Sequence, residues 1–542
     1  MVEAVVHELM SRRRYLAVTG SAGLGAGRAV LGRPRSAAAA ELRGADGISW
    51  PAGHALPTFA APRHLDVVDP TGASADEQLM LTSLQGVVNR TRPRIYTLPV
   101  TSAEGPATWL NELGVPHTEL AGTRAALAEY RAEVRGAVVH DPSIPATVNV
   151  ATTLAGLLNG VVASAELAAH HGLPVLTDLR GRFATDLAAY TWAVDTLWPR
   201  ASHRMLIGLG PNAFRHLRDY AVANRAMVVD LDTAVAGERA LLVRLLADLP
   251  APSPFLGVWP SGTHGEDDFV QLAAQNGVYV VAADSCDNLT VFGGVDAPVG
   301  TVQTAPPAPP LEDKVYVTLT MTDGDNLQFG QHRMRQAWDD PERGTAPLNW
   351  TVQPLAVDAA PSILAHYQTS ASPNDCLVAG PSGAGYTFPS DWPAASLGRF
   401  TDLTARYTRR AGLPVQAVID RRDRADTGLD AATASRYVHD VRPLGLLMNW
   451  TDHTATTVIA GDTPLSVSAL VYSATEAIDV ITSAYEKWNR SNGPLFLSIG
   501  LFAWNMGPAD AAQIVRSLGP DYRVVRGDHY FTLARRHYGL PA

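Results

Sequence analysis

Three short polar runs in the second half of the 542-residue chain contain acidic side chains, at residues 322–326, 420–423 and 449–453. Two carboxylates that face each other can hydrolyse a bond, because one protonates the leaving group while the other acts as a nucleophile or activates water. The candidate catalytic carboxylates in these runs are Asp323, Asp325, Asp420 and Asp452.

The two aspartates of the first run, Asp323 and Asp325, are separated by one glycine. On an extended chain their Cα atoms would lie about 6.6 Å apart. Because the side chains are flexible, the two carboxyl groups could be separated by roughly 5–5.5 Å, as in retaining glycosidases, or by roughly 6.5–9.5 Å, as in inverting ones. The stereochemistry of the reaction is therefore not predicted. We favour a pair from different strands, with Asp325 facing Asp420 or Asp452. Two alternatives stay open: the first run could be a polar turn or an oxygen-rich Ca²⁺ site, and Asp420 could pair with the neighbouring arginines.

Aromatic and amide side chains lie in the same polar loops as the acids. Flat aromatic faces can stack on sugar rings, and amides can hydrogen-bond to hydroxyl groups. Tryptophan is also a common core and interface residue, so packing explains each of the three tryptophans equally well. The candidate substrate-binding residues are Asn326, Tyr386, Trp392, Asn449, Trp450 and Trp504.

These loops must be positioned by strands, and apolar runs of strand length precede most of them. Seven or eight βα units between residues 312 and 542 predict a (β/α) barrel, in which a functional site lies at the C-terminal ends of the strands. An open, doubly wound sheet is the alternative. The predicted strands are Val315–Met321, Leu348–Gln353, Cys376–Ala379, Val415–Ile419, Leu444–Met448, Val467–Tyr472, Leu495–Ile499 and Tyr522–Val525.

The first forty residues contain, in order, the three parts of an export signal. A twin-arginine-type motif, Ser-Arg-Arg-Arg-Tyr-Leu, occupies residues 11–16, a weakly apolar segment follows at 17–32, and small residues at 36–40 suit a signal peptidase. No later run of about 18 uninterrupted apolar residues occurs, so we expect no membrane span. The sequence therefore predicts secretion through a twin-arginine-type signal.

Short β-branched runs also alternate with longer amphipathic segments from Leu65 to about Val291, which predicts further βα-type subdomains. The proline-rich run at residues 298–310 indicates a linker, because proline forbids helix and stiffens the backbone. We therefore expect a multidomain α/β protein in which N-terminal βα subdomains precede a C-terminal barrel-like domain. The expected segments are a signal peptide at 1–40, linkers at 41–61 and 298–311, α/β subdomains at 62–135, 136–200 and 201–297, and the barrel-like domain at 312–542.

Net charge and residue usage exclude several classes of partner and cofactor. The formal charge of −10 argues against nucleic acids and anionic membranes, which need a basic protein surface, and suits a neutral carbohydrate. Lys314 and Lys487 are the only lysines, and no GxxxxGK phosphate loop occurs. None of the 16 histidines lies four positions from another, so helical HxxxH and HExxH metal motifs are absent. We expect no cofactor and no metal, and two free thiols, Cys286 and Cys376; the oligomeric state is not predicted.

Two motifs at predicted strand ends resemble those of one protein family. Gly-Ala-Gly-Tyr-Thr-Phe-Pro at residues 383–389 and Asp-Gly-Asp-Asn at 323–326 resemble motifs of the GxGYxYP family of putative glycoside hydrolases, with Phe388 in place of the second tyrosine. The resemblance implies a sugar-processing protein. Phe388 lacks the hydroxyl group of the family's second tyrosine, so it cannot make a hydrogen bond that this hydroxyl would make. It covers about residues 62–540, because segments similar to the family's N-terminal region occur at 84–90, 93–96 and 138–142.

Hydrolysis of a neutral carbohydrate by carboxylate acid/base chemistry is the predicted function, and two alternatives stay open. A non-catalytic carbohydrate-binding or cell-surface protein would need the aromatic side chains but no pair of acids. A metal-dependent carbohydrate deacetylase would draw its ligands from separate loops. A serine hydrolase is disfavoured, because no helix is predicted directly after Ser382. Glu476 is best explained by a capping box with Ser473, rather than as a catalytic acid.

Overall fold

The computed structural model describes residues 47–100, 102–260, 265–300 and 306–541. The predicted export signal, and parts of both predicted linkers, lie outside these residues. Three small parallel sheets form in the first half of the described chain, and one closed barrel forms in the second half. We refer to the three sheets with their helices as the first, second and third N-terminal units.

The first unit follows a short antiparallel hairpin and has a parallel three-stranded sheet. The elements are the hairpin strands β1 (Ile48–Ser49) and β2 (Thr58–Phe59), then β3 (Leu65–Val68), α1 (Ala75–Asn89), β4 (Ile95–Thr97), α2 (Thr108–Leu113), β5 (His117–Leu120) and α3 (Gly122–Glu129). The strand order is β4-β3-β5. A capping box starts α1, since the Ser74 hydroxyl accepts from the Glu77 amide and the Glu77 carboxylate accepts from the Ser74 amide.

The second and third units repeat this βα arrangement with parallel sheets, in the orders β7-β6-β8 and β10-β9-β11-β12. The elements of the second unit are β6 (Ala137–Val139), α4 (Ala146–Leu158), β7 (Val161–Ala163), α5 (Ala165–His170), β8 (Val175–Asp178) and α6 (Asp186–Thr196). Those of the third unit are β9 (Ser202–Gly208), α7 (Arg218–Asn224), β10 (Ala226–Val229), α8 (Ala236–Ala247), β11 (Ser253–Gly257), α9 (Gly265–Gln275), β12 (Val278–Val281) and α10 (Leu289–Phe292).

The barrel half of the chain contains eleven strands and nine α-helices in the described residues. Its elements are β13 (Val315–Met321), α11 (Leu327–Gln331), α12 (Arg333–Trp338), β14 (Leu348–Val352), α13 (Ala356–Ala359), α14 (Pro361–Ser370), β15 (Asp375–Ala379), α15 (Ala394–Arg410), β16 (Val415–Val418), β17 (Arg421–Arg422), β18 (Ala425–Asp426), α16 (Ala431–Arg436), β19 (Gly445–Thr451), β20 (Ala455–Ile459), β21 (Thr463–Val471), α17 (Ala474–Glu486), β22 (Leu495–Leu501), α18 (Pro508–Ser517), β23 (Tyr522–Val524) and α19 (Gly527–His537).

Seven of these strands close a parallel barrel in the order β14-β15-β16-β19-β21-β22-β13, and β13 pairs with β14 to complete the ring. The eighth predicted strand, β23, pairs only with residues 315–317 of β13, while β14 pairs with residues 320 and 321. The predicted α/β fold with a barrel of seven or eight strands is therefore confirmed. The open, doubly wound alternative is wrong, because the first and second strands pair and leave no open edge between them.

The barrel interior is partly polar, and its polar groups are paired. All seven residues of β13 are buried, including Thr318 and Thr320. The Asn349 side-chain amide of β14 donates to both threonine hydroxyls, at 2.8 and 2.9 Å, and its oxygen accepts from the Gly527 amide at 2.6 Å. Each of these groups would cost roughly 1–3 kcal/mol if it were buried without a partner. The network therefore fixes β13 against β14, directly below the loop that follows β13.

None of the helices in the described part of the chain combines the length and the apolar composition needed to cross a bilayer. Both cysteines, Cys286 and Cys376, are buried and are not joined in a disulfide.

Candidate active site

The loop after β13 contains both aspartates of the Asp-Gly-Asp-Asn run and lies at the C-terminal end of the barrel. Asp323 has a left-handed backbone conformation, with φ of 68°. Gly324 lies against the backbone of Thr351 in β14, and a Cβ on this glycine would overlap that backbone. The Gly324 amide also donates a 2.8 Å hydrogen bond to the Thr351 hydroxyl. This close approach requires glycine, and it fixes the positions of the aspartates on either side.

The Asp323 carboxylate accepts hydrogen bonds from two side chains. The indole Nε1 of Trp504 donates to Oδ1 at 2.8 Å, and the Thr322 hydroxyl donates to Oδ2 at 2.6 Å. The Asn326 side-chain amide donates to the Asp323 carbonyl oxygen at 3.0 Å and tightens the loop. Because Trp504 follows β22, the ends of β13 and β22 together orient this carboxylate.

Asp325 lies deeper in the same loop and is 9% exposed. Its carbonyl oxygen accepts a 2.8 Å hydrogen bond from the Gln353 side-chain amide, which follows β14. Its backbone amide lies against Gly380, which follows β15. Three neighbouring strand ends therefore hold Asp325, and the structure brings Asp323 and Asp325 together at one end of the barrel.

The described residues contain no group of three or more His, Cys, Asp or Glu side chains arranged to hold a metal ion. In the loop after β13, side-chain donors occupy both oxygens of Asp323. This part of the barrel mouth is therefore built from hydrogen-bonded acids and aromatic groups.

The Gly-Ala-Gly-Tyr-Thr-Phe-Pro run at residues 383–389 joins the barrel to the third N-terminal unit. Tyr386 forms an antiparallel bridge with Val280 of β12, through two backbone hydrogen bonds of 2.8 Å. Gly385 lies so close to Tyr279 that an added Cβ would overlap the tyrosine ring and lie 2.8 Å from the Val280 carbonyl oxygen. The glycine before the tyrosine is therefore needed for the two domains to dock.

The phenol of Tyr386 reaches an acid of the third unit. It donates a 2.9 Å hydrogen bond to Oε1 of Glu266, in the first turn of α9. Burial raises the pKa of this phenol well above its ordinary value, and the charges of Glu266, Asp267 and Asp325 raise it further, so the phenol stays protonated. Phe388 is 1% exposed and packs edge-on against Tyr386, with 5.9 Å between the ring centroids. At position 388 the ring thus contributes core packing.

Arg421, the first residue of β17, connects the barrel mouth to the same helix. Its guanidinium donates to Asp267 at 3.0 Å and to Asp426 at 2.9 Å. Burial disfavours the charged guanidinium, but the carboxylates of Asp267 and Asp426 raise the pKa of Arg421 above its ordinary value. Arg421 is therefore a fixed positive charge beside Tyr386.

Tyr472 follows β21 and completes this side of the barrel mouth. Burial raises the pKa of its phenol to about 12, the charges of Glu476 and Asp323 add to the shift, and the charge of Arg421 opposes it. Tyr472 thus lies within electrostatic reach of Asp323 and Arg421. Its ring packs on Phe502, with 5.1 Å between centroids.

Glu476 lies in the first turn of α17, and its hydrogen bonds stabilise the N-terminus of that helix. The Ser473 hydroxyl accepts from the Glu476 amide at 3.2 Å, and the Glu476 carboxylate accepts from the Tyr472 amide at 2.7 Å. The Ser473 cap of the predicted capping box is therefore present, but the reciprocal hydrogen bond of Glu476 goes to the Tyr472 amide instead of the Ser473 amide.

Asp420 lies beneath the loop after β15 and is 1% exposed. Its Oδ1 accepts a 3.1 Å hydrogen bond from the Ser390 amide, and its Oδ2 is buried with no hydrogen-bond partner among the described residues. Burial raises the pKa of this carboxyl to about 6, although the Ser390 hydrogen bonds oppose the shift. A raised pKa suits a proton donor, but burial keeps this group from a bound substrate. The adjacent Arg421 and Arg422 pair with other acids.

At the end of β19, Asn449 is buried and Asp452 is exposed to solvent. The side chain of Asp452 is 99% exposed and hydrogen-bonds to His453 at 3.0 Å, so its carboxylate lies in solvent. Asn449 is buried and has a left-handed backbone, with φ of 52°. Its side-chain oxygen accepts from the Asp420 amide at 2.7 Å, and its nitrogen donates to a carbonyl at 2.8 Å. Asn449 therefore ties β19 to the loop after β16.

The three tryptophans predicted to stack on sugars have different surroundings. Trp392 is 5% exposed and stacks on Phe400, with 4.5 Å between centroids, so it is a core residue in this structure. Trp450 is half-buried and packs over Gly500 of β22. Trp504 is also half-buried. Trp450 and Trp504 therefore keep part of their rings accessible near the C-terminal ends of the strands.

Sequence reasoning missed Glu266, which belongs to the third unit yet contacts Tyr386 of the barrel. The run Gly-Glu-Asp-Asp at residues 265–268 is typical of a helix N-terminus, where acidic side chains favour the helix dipole. Nothing in that pattern indicates a partner 120 positions away. From the sequence, Arg421 was interpreted only as an ion-pair partner of Asp420. Tyr472 was interpreted only as the last residue of a predicted strand.

Comparison with protein families gives four consecutive matches to the domains of a single family. Residues 64–132, 134–201 and 203–294 match the first, second and third GxGYxYP N-terminal domains. Residues 313–535 match the GxGYxYP putative glycoside hydrolase C-terminal domain. Comparison with curated proteins finds no match.

Among solved structures, the chain is similar to a putative hydrolase from Bacteroides thetaiotaomicron VPI-5482, with a TM-score of 0.79 and 21% sequence identity. The similarity covers 91% of this chain and 99% of the other. At this identity the similarity supports the fold. With all four domain matches in order along the sequence, the chain belongs to the GxGYxYP family of putative glycoside hydrolases.

Proposed function

We propose that this protein is an exported glycoside hydrolase that cleaves a neutral carbohydrate by carboxylate acid/base chemistry. The observation that supports this best is the position of Asp323 and Asp325 in one loop at the C-terminal end of the barrel, with the Trp504 indole hydrogen-bonded to Asp323. Trp504 adds a partly exposed indole at the same place. Acids beside an aromatic face are what binding and hydrolysis of a sugar require.

Asp325 is the proposed reacting carboxylate of this loop. Asp323 has both oxygens engaged by Trp504 and Thr322, which suits a charge that positions the substrate and stabilises a positive transition state. In the reaction a carboxylic acid protonates the glycosidic oxygen as its bond to the anomeric carbon breaks. A second carboxylate attacks that carbon or takes a proton from the attacking water. Asp325 performs one of these two steps.

The proposals that the substrate is neutral and that the protein is exported rest on the amino-acid sequence alone. The formal charge of −10 disfavours anionic partners, and the twin-arginine-type motif at residues 11–16 supports export. N-terminal sequencing of protein recovered from the culture medium tests export. A processed chain that begins near residue 41 would support it, whereas an unprocessed chain retained inside the cells would contradict it.

Incubation of the purified protein with a panel of aryl glycosides and neutral oligosaccharides tests the reaction. Release of reducing sugar from at least one of them is the expected result. Glycan binding without any release would instead favour a non-catalytic carbohydrate-binding protein. Acetate release from acetylated sugars that stops on addition of a chelator would favour a metal-dependent deacetylase.

A further inference from the structure

Glu266 lies at the barrel mouth although it belongs to the third N-terminal unit. It is partly exposed, and its Oε1 accepts the 2.9 Å hydrogen bond from the Tyr386 phenol. The loop that contains Tyr386 begins at Gly380, which lies against the backbone amide of Asp325. One loop therefore contacts Asp325 of the barrel at its start and, through Tyr386, Glu266 of another domain.

The start of α9 is held against the barrel by contacts around Glu266. The side-chain pairs that connect this helix to the barrel loops are Asp267–Arg421 at 3.0 Å, Asp268–Arg424 at 2.8 Å and Gln271–Asp391 at 2.8 Å. The backbone bridge between Val280 and Tyr386 adds a fourth connection. Several contacts thus set the position of Glu266 relative to the barrel, as a reacting group requires.

The other candidate partners for Asp325 are less suitable. Asp420 is buried beneath the loop after β15, and Asp452 extends into solvent. The exposure of Glu266 is intermediate, so a substrate at the barrel mouth could reach its carboxylate. Glu266 also lies on a different segment from Asp325, which allows the two carboxylates to approach a sugar ring from opposite sides.

We propose that Glu266 is the second reacting carboxylate of this glycoside hydrolase, and that the active site is shared between the barrel and the third N-terminal unit. This inference rests on the proposed function. Tyr386 is a positioning residue, because its hydrogen bond orients the Glu266 carboxylate. Asp267 and Asp268 hold the helix in place through their arginine partners.

The proposed hydrolysis of the glycosidic bond consumes one water molecule. One of the two carboxyl groups gives its proton to the glycosidic oxygen while the bond from that oxygen to the anomeric carbon breaks. The other carboxylate takes a proton from the water that bonds to the anomeric carbon, or bonds to that carbon first and is then displaced by water. Two hydroxyl-bearing sugars leave, and proton exchange with solvent restores both carboxyl groups.

Glu266→Gln in the full chain tests this assignment. Glutamine keeps the size of the side chain and can still accept the Tyr386 hydrogen bond, but it cannot give or take a proton. On a glycoside that the wild type hydrolyses, we expect kcat to fall by at least about 100-fold, with Tm changed by no more than a few degrees. A loss confined to poor leaving groups would identify Glu266 as the proton donor. A loss on all leaving groups that added azide restores would identify it as the base or nucleophile, because azide can attack the anomeric carbon instead.

Glu166→Gln is the matched control, since it makes the same chemical change at an exposed position in the first turn of α5, in the second N-terminal unit. We expect its kcat to stay within about threefold of the wild type. The inference is overturned if Glu266→Gln keeps a kcat similar to that of Glu166→Gln. It is also overturned if the activity of Glu266→Gln is lost together with a large fall in Tm that Glu166→Gln does not show, because the role of Glu266 would then be structural. A wild type that hydrolyses no glycoside would overturn the proposed function, and this inference with it.

Discussion

The phenol of Tyr386 donates a 2.9 Å hydrogen bond to Glu266, and this contact joins the barrel to the third N-terminal unit. The neighbouring motif residues serve the same junction. Gly385 allows the close approach of Tyr279, and Phe388 packs its ring against Tyr386 in the core. The motif that defines the family is therefore a joint between two domains at the edge of the candidate active site.

The N-terminal units also support the segment that follows Asp325. Side-chain oxygens of Gln328 and Gln331 accept from the amides of Ser285 and Asp287, each at 2.9 Å. The Trp109 indole of the first unit donates to the Gln331 carbonyl oxygen at 2.5 Å. Residues of both halves lie in one continuous apolar core. The geometry of the site therefore depends on the packing of several domains.

Substitution of Gly385 by alanine should destabilise the junction. The added Cβ would overlap the Tyr279 ring and lie 2.8 Å from the Val280 carbonyl oxygen, so the two domains must move apart. We expect a loss of roughly 1–3 kcal/mol, visible as a lower Tm in calorimetry. Gly428→Ala is the control, because a Cβ there would meet open space. Equal Tm values for the two variants would show that Gly385 is not needed for docking.

Replacement of Trp504 by phenylalanine should weaken activity more than stability. The change removes the 2.8 Å hydrogen bond to Asp323 but keeps an aromatic ring near Phe329. A hydrogen bond to a charged group contributes about 1.5–3 kcal/mol, so we expect kcat/KM to fall by about tenfold or more. Kinetics on the best glycoside substrate would measure this effect. An unchanged kcat/KM would mean that the Trp504 hydrogen bond does not matter for Asp323.

The buried carboxyl of Asp420 should make stability depend on pH. Its pKa is raised from 3.8 to about 6 in the folded protein, so between these values the folded state binds more protons than the unfolded state. Stability therefore falls as pH rises from about 4 to about 6, by up to about 3 kcal/mol from this group. The Asp420→Asn variant lacks this titrating group. The Tm of the variant relative to that of the wild type should therefore increase as pH rises from about 4 to about 6.

Scans of Tm at several pH values would measure the difference between the Asp420→Asn variant and the wild type. Asp479→Asn, at an exposed position of α17, controls for the loss of one negative charge. A Tm difference that stays constant between pH 4 and pH 7 would contradict the raised pKa.

Local pattern predicted the barrel strands well. Val315–Met321 was predicted and is observed with the same bounds, because an apolar run with β-branched residues ends at a polar loop. The strand predicted from Val467 instead begins at Thr463. Antiparallel pairing with Ala455–Ile459 extends it, and the Gly461-Asp462 pair in the connecting turn is a hairpin signal that the strand prediction overlooked.

The candidate site was predictable only where it depends on one loop. Asp323 and Asp325 follow a recognisable strand, so their place at the barrel mouth follows from the fold class. The burial of Asp420 depends on how the loop containing Ser390 folds over it. Glu266 reaches the barrel only because the third unit docks on it, through contacts between residues far apart in the chain. No periodicity or spacing in a single sequence contains that information.

Hydrolysis of a glycoside by the Asp325→Asn variant is the most direct test of the account. Asparagine keeps the shape of the side chain but cannot act as an acid, a base or an effective nucleophile. We predict that kcat falls by at least about 1,000-fold while Tm stays within a few degrees of the wild type. Asp479→Asn, on the exposed face of α17, should retain the wild-type kcat. Sugar release by Asp325→Asn at the wild-type rate would contradict the central claim that Asp325 is a reacting carboxylate.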